Sequence, residues 1–126
     1  MSRSLLFSWL MVGATVLLTV YGQIVLKWQV GLAGPLPDTL AGKVAYLLNA
    51  LCNPWILSGL AAAFAAALCW IMALGRLPLS HAYPFTALSI VLVVIAGTIL
   101  FSESISATQR LGIAFVVLGI VLVSYR

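Results

Sequence analysis

Apolar residues fill four long stretches of the chain, separated by short polar breaks. A helix that crosses a bilayer needs about 20 mostly apolar residues, and each stretch reaches that length. The first span is expected over residues 5–30, with its apolar part ending at Leu26. The second, over 54–74, opens on Pro54, where a first-turn proline forfeits no hydrogen bond. The third covers 80–101 and the fourth 107–125. Ser106 and Gln109 have the spacing of a capping box, which puts the start of the fourth helix at Ser106. Lipid cannot satisfy a stray backbone group, so helices are preferred over strands. The pattern predicts an all-α membrane protein, with residues 1–126 forming a single four-helix transmembrane domain.

The segment between the first two spans reads "GLAGPLPDTLAGKVAYLLNALCN". Gly31, Gly34, Pro35 and Pro37 are expected to break the first helix, and Asp38 to cap the next one. Leu40, Val44, Leu47, Leu48 and Leu51 then fall on one stripe, with Lys43, Tyr46, Asn49 and Asn53 largely opposite. That spacing predicts a short amphipathic helix over 39–52, lying in the headgroup plane.

Composition turns the span pattern into a statement about solvent. Of 126 residues, 64% are hydrophobic and 6% charged, whereas soluble domains carry about a quarter charged residues. Such a chain has to use lipid as its solvent. The net charge of +4 comes from six basic residues against Asp38 and Glu103, an excess suited to anionic headgroups. The basic residues are scattered, so no nucleic-acid patch is expected. The N-terminal apolar run is longer than a signal-peptide core of about 7–15 residues and is expected to be retained as a helix. Cys52 and Cys69 have no metal-ligand spacing and read as buried or lipid-facing thiols, so no metal or cofactor is expected. One histidine and two distant acids make no nucleophile–base pair, and no Gly-rich phosphate loop occurs, so an enzyme is not expected.

Charge leaves the orientation undecided. Arg3, Arg76 and Arg126 fall on one side of the membrane, and Lys27, Lys43 and Arg110 on the other. The positive-inside rule counts such residues, and here they tie. The tie permits insertion in both orientations and hence an antiparallel dimer; otherwise a partner or the insertion machinery decides. The run "GLAAAFAAAL" in the second span, and Gly112 and Gly119 in the fourth, offer small faces for close helix contact, within a chain or between chains.

The polar residues of the first span form one stripe. Thr19, Gln23 and Lys27 follow one another at four-residue intervals, so they stack on one helix face. On its own, Lys27 reads as an interfacial anchor that can snorkel, beside Trp28 in an aromatic belt. Glu103 reads as a loop carboxylate pairing with Arg110 or favouring the start of the fourth helix. Arg76 reads as a topology anchor, His81 as an interfacial residue, and Pro84 as the start of a helix or a bend in it.

Three motifs carry a family resemblance: "GQIVLKW" closing the first span, "LPLSHAYPFTALSIVLVV" opening the third, and "FSESISATQRLGIAFVVLGIVLVS" leading into the fourth. Together they resemble the small four-helix members of the drug/metabolite transporter superfamily. That group holds the small multidrug resistance exporters and the paired flippase subunits for aminoarabinose-phosphoundecaprenol. The resemblance covers all but residues 31–53. Where the proton-coupled exporters have a membrane-embedded glutamate, this chain has Thr19, and no carboxylate lies between Leu5 and Lys27. Thr19 cannot titrate, so the resemblance favours the flippase branch. It implies a bacterial cytoplasmic (inner) membrane transporter working as a homodimer or a heterodimer with a related four-helix subunit, possibly antiparallel in arrangement. The substrate it implies is a lipid-linked sugar phosphate. Lys27 would then face a shared cavity and meet the lipid phosphate, with Gln23 and Thr19 on the same stripe. Tyr83 would stack on the sugar or line the cavity, Glu103 would contact an amino sugar or gate a basic residue of the partner, and Arg76 would meet phosphate at the entrance. Two other readings stay open: an exporter of cationic compounds, coupled through Glu103 or not at all to protons, and a non-transporting subunit of a membrane assembly.

Overall fold

The computed structural model describes residues 2–125. All its regular structure is helical, with no strand among the described residues. Helix α1 (Arg3–Ala33) is followed by the short α2 (Leu40–Leu51) and by α3 (Pro54–Leu74). The third span begins as α4 (Leu79–Ala82), tightens to a 3₁₀ turn (Tyr83–Ala87) and continues as α5 (Leu88–Phe101). Helix α6 (Ala107–Ser124) closes the described chain. Four helices are long and apolar enough to cross a membrane: α1, α3, the composite 79–101 helix and α6. Arg126, which the sequence reading grouped with Arg3 and Arg76, lies outside the described residues.

The helix ends follow local chemistry. The Ser106 side chain accepts from the Gln109 backbone and the Gln109 side chain accepts from the Ser106 backbone, so the capping box is formed. Asn53 caps α3 by accepting from the Trp55 N–H at 2.9 Å, with Pro54 in the first turn. Two expectations for the α1–α2 connection are corrected. Thr39, not Asp38, caps α2, its hydroxyl accepting from the Gly42 N–H. Gly31 does not break α1, which runs on to Ala33 and stops at Gly34, whose φ of 86° few other residues adopt. A lone helical glycine costs only about 1 kcal/mol, which a tethered helix absorbs.

At 1.5 Å per residue α1 is about 46 Å long, well beyond a hydrocarbon core of about 30 Å. Its overhang is tied to the start of α3. Gln29 is buried there and its Oε1 accepts from Asn53 Nδ2 at 2.9 Å, while Trp28 meets Trp55 edge to face at 5.2 Å. Below this tether α1 and α3 pack more extensively than any other pair of helices. Their backbones approach at Gly22 and Gly59, where a Cβ on Gly22 would stand 3.1 Å from the Gly59 carbonyl oxygen. Val12, Val16, Val25, Ile56, Ala62 and Ala66 bury along the same seam. The small face of α3 is thus used within the chain. Toward the N-terminal end of α1, Val12, Ala73, Leu77 and Ala82 form a core cluster, backed by Trp9, Trp70 and Phe85. His81 meets the Trp9 ring edge to face at 5.7 Å, a packing role.

The other side of the molecule is open. Helix α6 touches only α5 and the 3₁₀ turn to any extent and buries no residue. Gly112 and Gly119 have nothing within 4 Å of a would-be Cβ. Along α2, Leu40, Val44, Leu47, Leu48 and Leu51 are all exposed, so its apolar stripe faces away from the protein.

Candidate functional site

The polar stripe of α1 is longer than three residues. Thr15 stands four before Thr19, and its hydroxyl lies 2.8 Å from the Met11 carbonyl and 3.3 Å from the Ala66 carbonyl of α3. Thr19 donates to the Thr15 carbonyl at 2.7 Å. Because these hydroxyl protons are spent on backbone carbonyls, the oxygens keep lone pairs for another donor. The same holds across the gap, where Thr86 donates to the Tyr83 carbonyl and Ser89 to the Thr86 carbonyl, both at 2.6 Å.

These groups line a cavity of about 550 Å³ between α1, α3 and the third span. Thr15, Thr19, Trp70, Tyr83, Thr86 and Ser89 face it among small apolar side chains. Tyr83 is exposed and lies against Trp70 at 6.1 Å between ring centroids, giving aromatic surface beside hydroxyl acceptors. Thr15, Trp70, Thr86 and Ser89 were not singled out from the sequence. Thr15 was visible in the four-residue spacing; Thr86 and Ser89 depend on the 3₁₀ turn at Pro84, which sets the faces they present, and Trp70 comes from α3.

Farther along α1 the stripe enters a second cleft, of about 200 Å³, lined by Gln23, Lys27, Gly97, Phe101 and Glu103. Lys27 Nζ lies 3.2 Å from Glu103 Oε1, with side chains 58% and 49% exposed. Lys27 therefore turns across α1 toward the end of α5, while Trp28 packs with Trp55 on a neighbouring face. The expected partner of Glu103, Arg110, instead donates to the Ile105 carbonyl at 3.4 Å. The reason lies in the backbone. Ser102 sits in the left-handed region at φ 54°, and the Ser102 and Glu103 N–H groups both close onto the Gly97 carbonyl. The chain doubles back and carries Glu103 away from α6. A half-exposed pair of this kind adds roughly 0–1 kcal/mol to stability, so the fold does not depend on it.

The six residues expected to form the site therefore fall at three levels. Gln23, Lys27 and Glu103 share the charged cleft, and Thr19 and Tyr83 share the larger cavity. Arg76 lies in the turn after α3, beyond Leu74 and at the N-terminal end of α1, and lines neither. From Thr15 to Lys27 the stripe climbs about 18 Å along the helix axis.

Comparison with known proteins adds to this geometry. The model of the EamA-like transporter family matches residues 4–125. A Yersinia enterocolitica protein named "Probable 4-amino-4-deoxy-L-arabinose-phosphoundecaprenol flippase subunit ArnF" is 37% identical over 118 residues, covering 91% of each chain. Its Pseudomonas aeruginosa namesake is 36% identical over 94% of this chain and 85% of its own. A Pseudomonas savastanoi pv. phaseolicola protein named as the corresponding subunit ArnE is 32% identical over 90% of this chain and 93% of its own. No solved structure matches the chain.

Proposed function

The chain belongs to the EamA-like transporter family, and from that premise we propose that it is one subunit of a dimeric flippase for a polyprenyl-phosphate-linked sugar. It is a multi-pass membrane transporter by family and by its four spanning helices; we place it in the bacterial cytoplasmic (inner) membrane. The relatives named for an aminoarabinose lipid support this substrate class. Such a lipid has an anionic phosphate, a polar sugar and a long apolar tail. Its carrier must shelter the head in a polar groove and leave the tail in lipid.

The observation that carries the reading is the course of the α1 stripe. It runs through hydroxyls and an amide to a fixed cation, Lys27, that faces a cleft, and no acid interrupts the span. Lys27 meets the phosphate and Gln23 holds the ammonium or a sugar hydroxyl. Thr19 and Tyr83 serve the sugar as it passes the middle of the membrane, offering acceptors and a ring face. Arg76 receives phosphate at the opposite surface. The uncovered small face of α6 supports a second subunit there, either a copy or a related four-helix chain. An antiparallel pair would alternate access by rocking one half against the other.

An exporter that trades protons for cationic compounds needs a sheltered carboxylate free to titrate. Of the two acids, Asp38 lies in the exposed α1–α2 connection and Glu103 is half-exposed and paired with Lys27. The geometry favours the flippase.

The test is transbilayer movement of prenyl-phosphate sugars in liposomes carrying the assembled transporter. Lys27→Ala is expected to slow movement about ten- to hundredfold, the worth of one charge-assisted contact. Its detergent-solubilised elution profile should match the parent. Undiminished movement by that variant overturns the assignment of Lys27.

A further inference from the structure

We propose that the groove between α5 and α6 holds one anionic glycerophospholipid, with an acyl chain along its walls and the phosphate on Arg110. This lipid is a resident of the fold and lies off the transport path.

The groove has a volume of about 280 Å³. Its walls are branched aliphatic side chains, Val94, Ile95, Ile99 and Ile113 among them, and Arg110 is the one charged group among the described residues that line it. Thr98, also in the lining, spends its hydroxyl proton on the Val94 carbonyl at 2.9 Å. Arg110 stands in the first turn of a spanning helix, the level at which headgroups meet the hydrocarbon. An aliphatic trough beside one cation matches a phospholipid where its chains join the phosphate.

The guanidinium is unclaimed within the chain. Of the two acids, Glu103 pairs with Lys27 and Asp38 lies in the α1–α2 connection. The one side-chain hydrogen bond of Arg110 among the described residues is the 3.4 Å contact to the Ile105 carbonyl, longer than the usual range of about 2.7–3.2 Å. A guanidinium has five N–H donors in a fork that fits phosphate. The start of a helix is also its positive end, where a cation gains nothing from the dipole and an anion is favoured.

The groove is separate from the charged cleft and from the open face of α6. Gly97 of α5 lines the cleft, and Ile95 and Ile99, two residues to either side of it, fall about half a turn round the helix. Gly112 and Gly119 fall about half a turn round α6 from Arg110. A lipid phosphate held by Lys27 therefore does not place its tail here, and a subunit docked on the small face of α6 leaves the groove open. With the Glu103 carboxylate turned to Lys27, no acid among the described residues lining the groove can take an ammonium. A phosphodiester carrying net negative charge is preferred over a zwitterion.

The experiment counts lipids retained by the delipidated, assembled transporter in native mass spectrometry. The probes are phosphatidylglycerol, phosphatidylethanolamine and undecaprenyl phosphate, so no transport is needed and the flippase reading is tested apart. The unaltered protein is expected to bind phosphatidylglycerol about tenfold more tightly than phosphatidylethanolamine, the worth of one charge-assisted contact. Arg110→Gln should bring that ratio close to unity. Ile95→Trp, which fills the groove from an exposed position, should weaken both lipids. Lys43→Gln removes a charge at the same end but outside the groove and should leave the ratio intact. Equal binding of the two phospholipids by the unaltered protein, or a ratio unchanged in Arg110→Gln, overturns the proposal. So does an equal fall in Lys43→Gln, which would make the preference one of general surface charge. Undecaprenyl phosphate displacing phosphatidylglycerol at equal concentration would give the groove to the transported lipid and overturn the resident one. Subunit dissociation in Ile95→Trp, with no lipid preference in the parent, would give it to the partner chain.

Discussion

Gln29 shows how a single polar side chain in an apolar helix can be structural rather than functional. It lies two residues beyond Lys27, on another face, buried with its amide oxygen on Asn53. Asn53 in turn caps α3, so the bond fixes where the second span begins against the first. Gln29→Ala is expected to lower stability in detergent by about 1 kcal/mol, since Asn53 is only partly buried and can turn to water. A thermal-unfolding shift would show it, with Lys27 and its cleft untouched. Sequence alone separates Gln29 from Gln23 by face, because only Gln23 lies four residues before the lysine. The stripe was legible for that reason. The partner of Glu103 was not. Arg110 is close in sequence, whereas Lys27 becomes close only through the left-handed turn at Ser102, a conformation that serine does not advertise.

At the scale of elements, the apolar pattern foretold the four spanning helices and the short helix between the first two. It foretold less about how they end and meet. Thr39 displaced Asp38 as a cap by a shift of one residue, a difference no periodicity resolves. Pro84 was legible as a disturbance, since it lacks an N–H and crowds the preceding turn; the resulting 3₁₀ stretch decides which residues line the larger cavity. The α1–α3 seam rests on Gly22 meeting Gly59, and glycine in a span does not reveal its partner. Two substitutions separate the roles of glycines in α1. Gly22→Leu would drive a side chain into the α3 backbone and is expected to cost about 1–3 kcal/mol or more, as overpacking does. Gly13→Ala, with nothing within 4 Å of the added carbon, should be neutral or stabilising by up to about 1 kcal/mol. Equal losses in the two variants would mean that the α1–α3 approach is not the contact holding the chain together. Ser106→Ala should cost about 1 kcal/mol through the lost cap, confined to the start of α6.

At the scale of the whole molecule, the charges and the uncovered faces bear on the same question. Arg3 and Arg76 lie at one end of the bundle, and Lys27, Lys43 and Arg110 at the other. Counted over the sequence, with Arg126, the ends carry three basic residues each. Orientation depends on such counts, and acids contribute little to them. If the tie is what lets the chain insert both ways, one added lysine should break it. Asp38→Lys is suited to this, because Thr39 rather than Asp38 caps α2 and the site is exposed. It raises the Lys27 end to four and should hold that end in the cytoplasm. C-terminal fusions report the result: the unaltered chain should give signal from reporters active on either side, and Asp38→Lys almost only from the external one. Leu79→Lys, exposed beside Arg76 at the opposite end, should bias the chain the other way. If the working unit is an antiparallel pair of copies, each biased chain alone should transport poorly and the two together should recover. Recovery would show that the working unit pairs two copies in opposite orientations, for which the open α6 surface is the available face. A one-sided signal from the unaltered chain would rule out the inverted copy and leave a parallel copy or a distinct four-helix subunit as the partner.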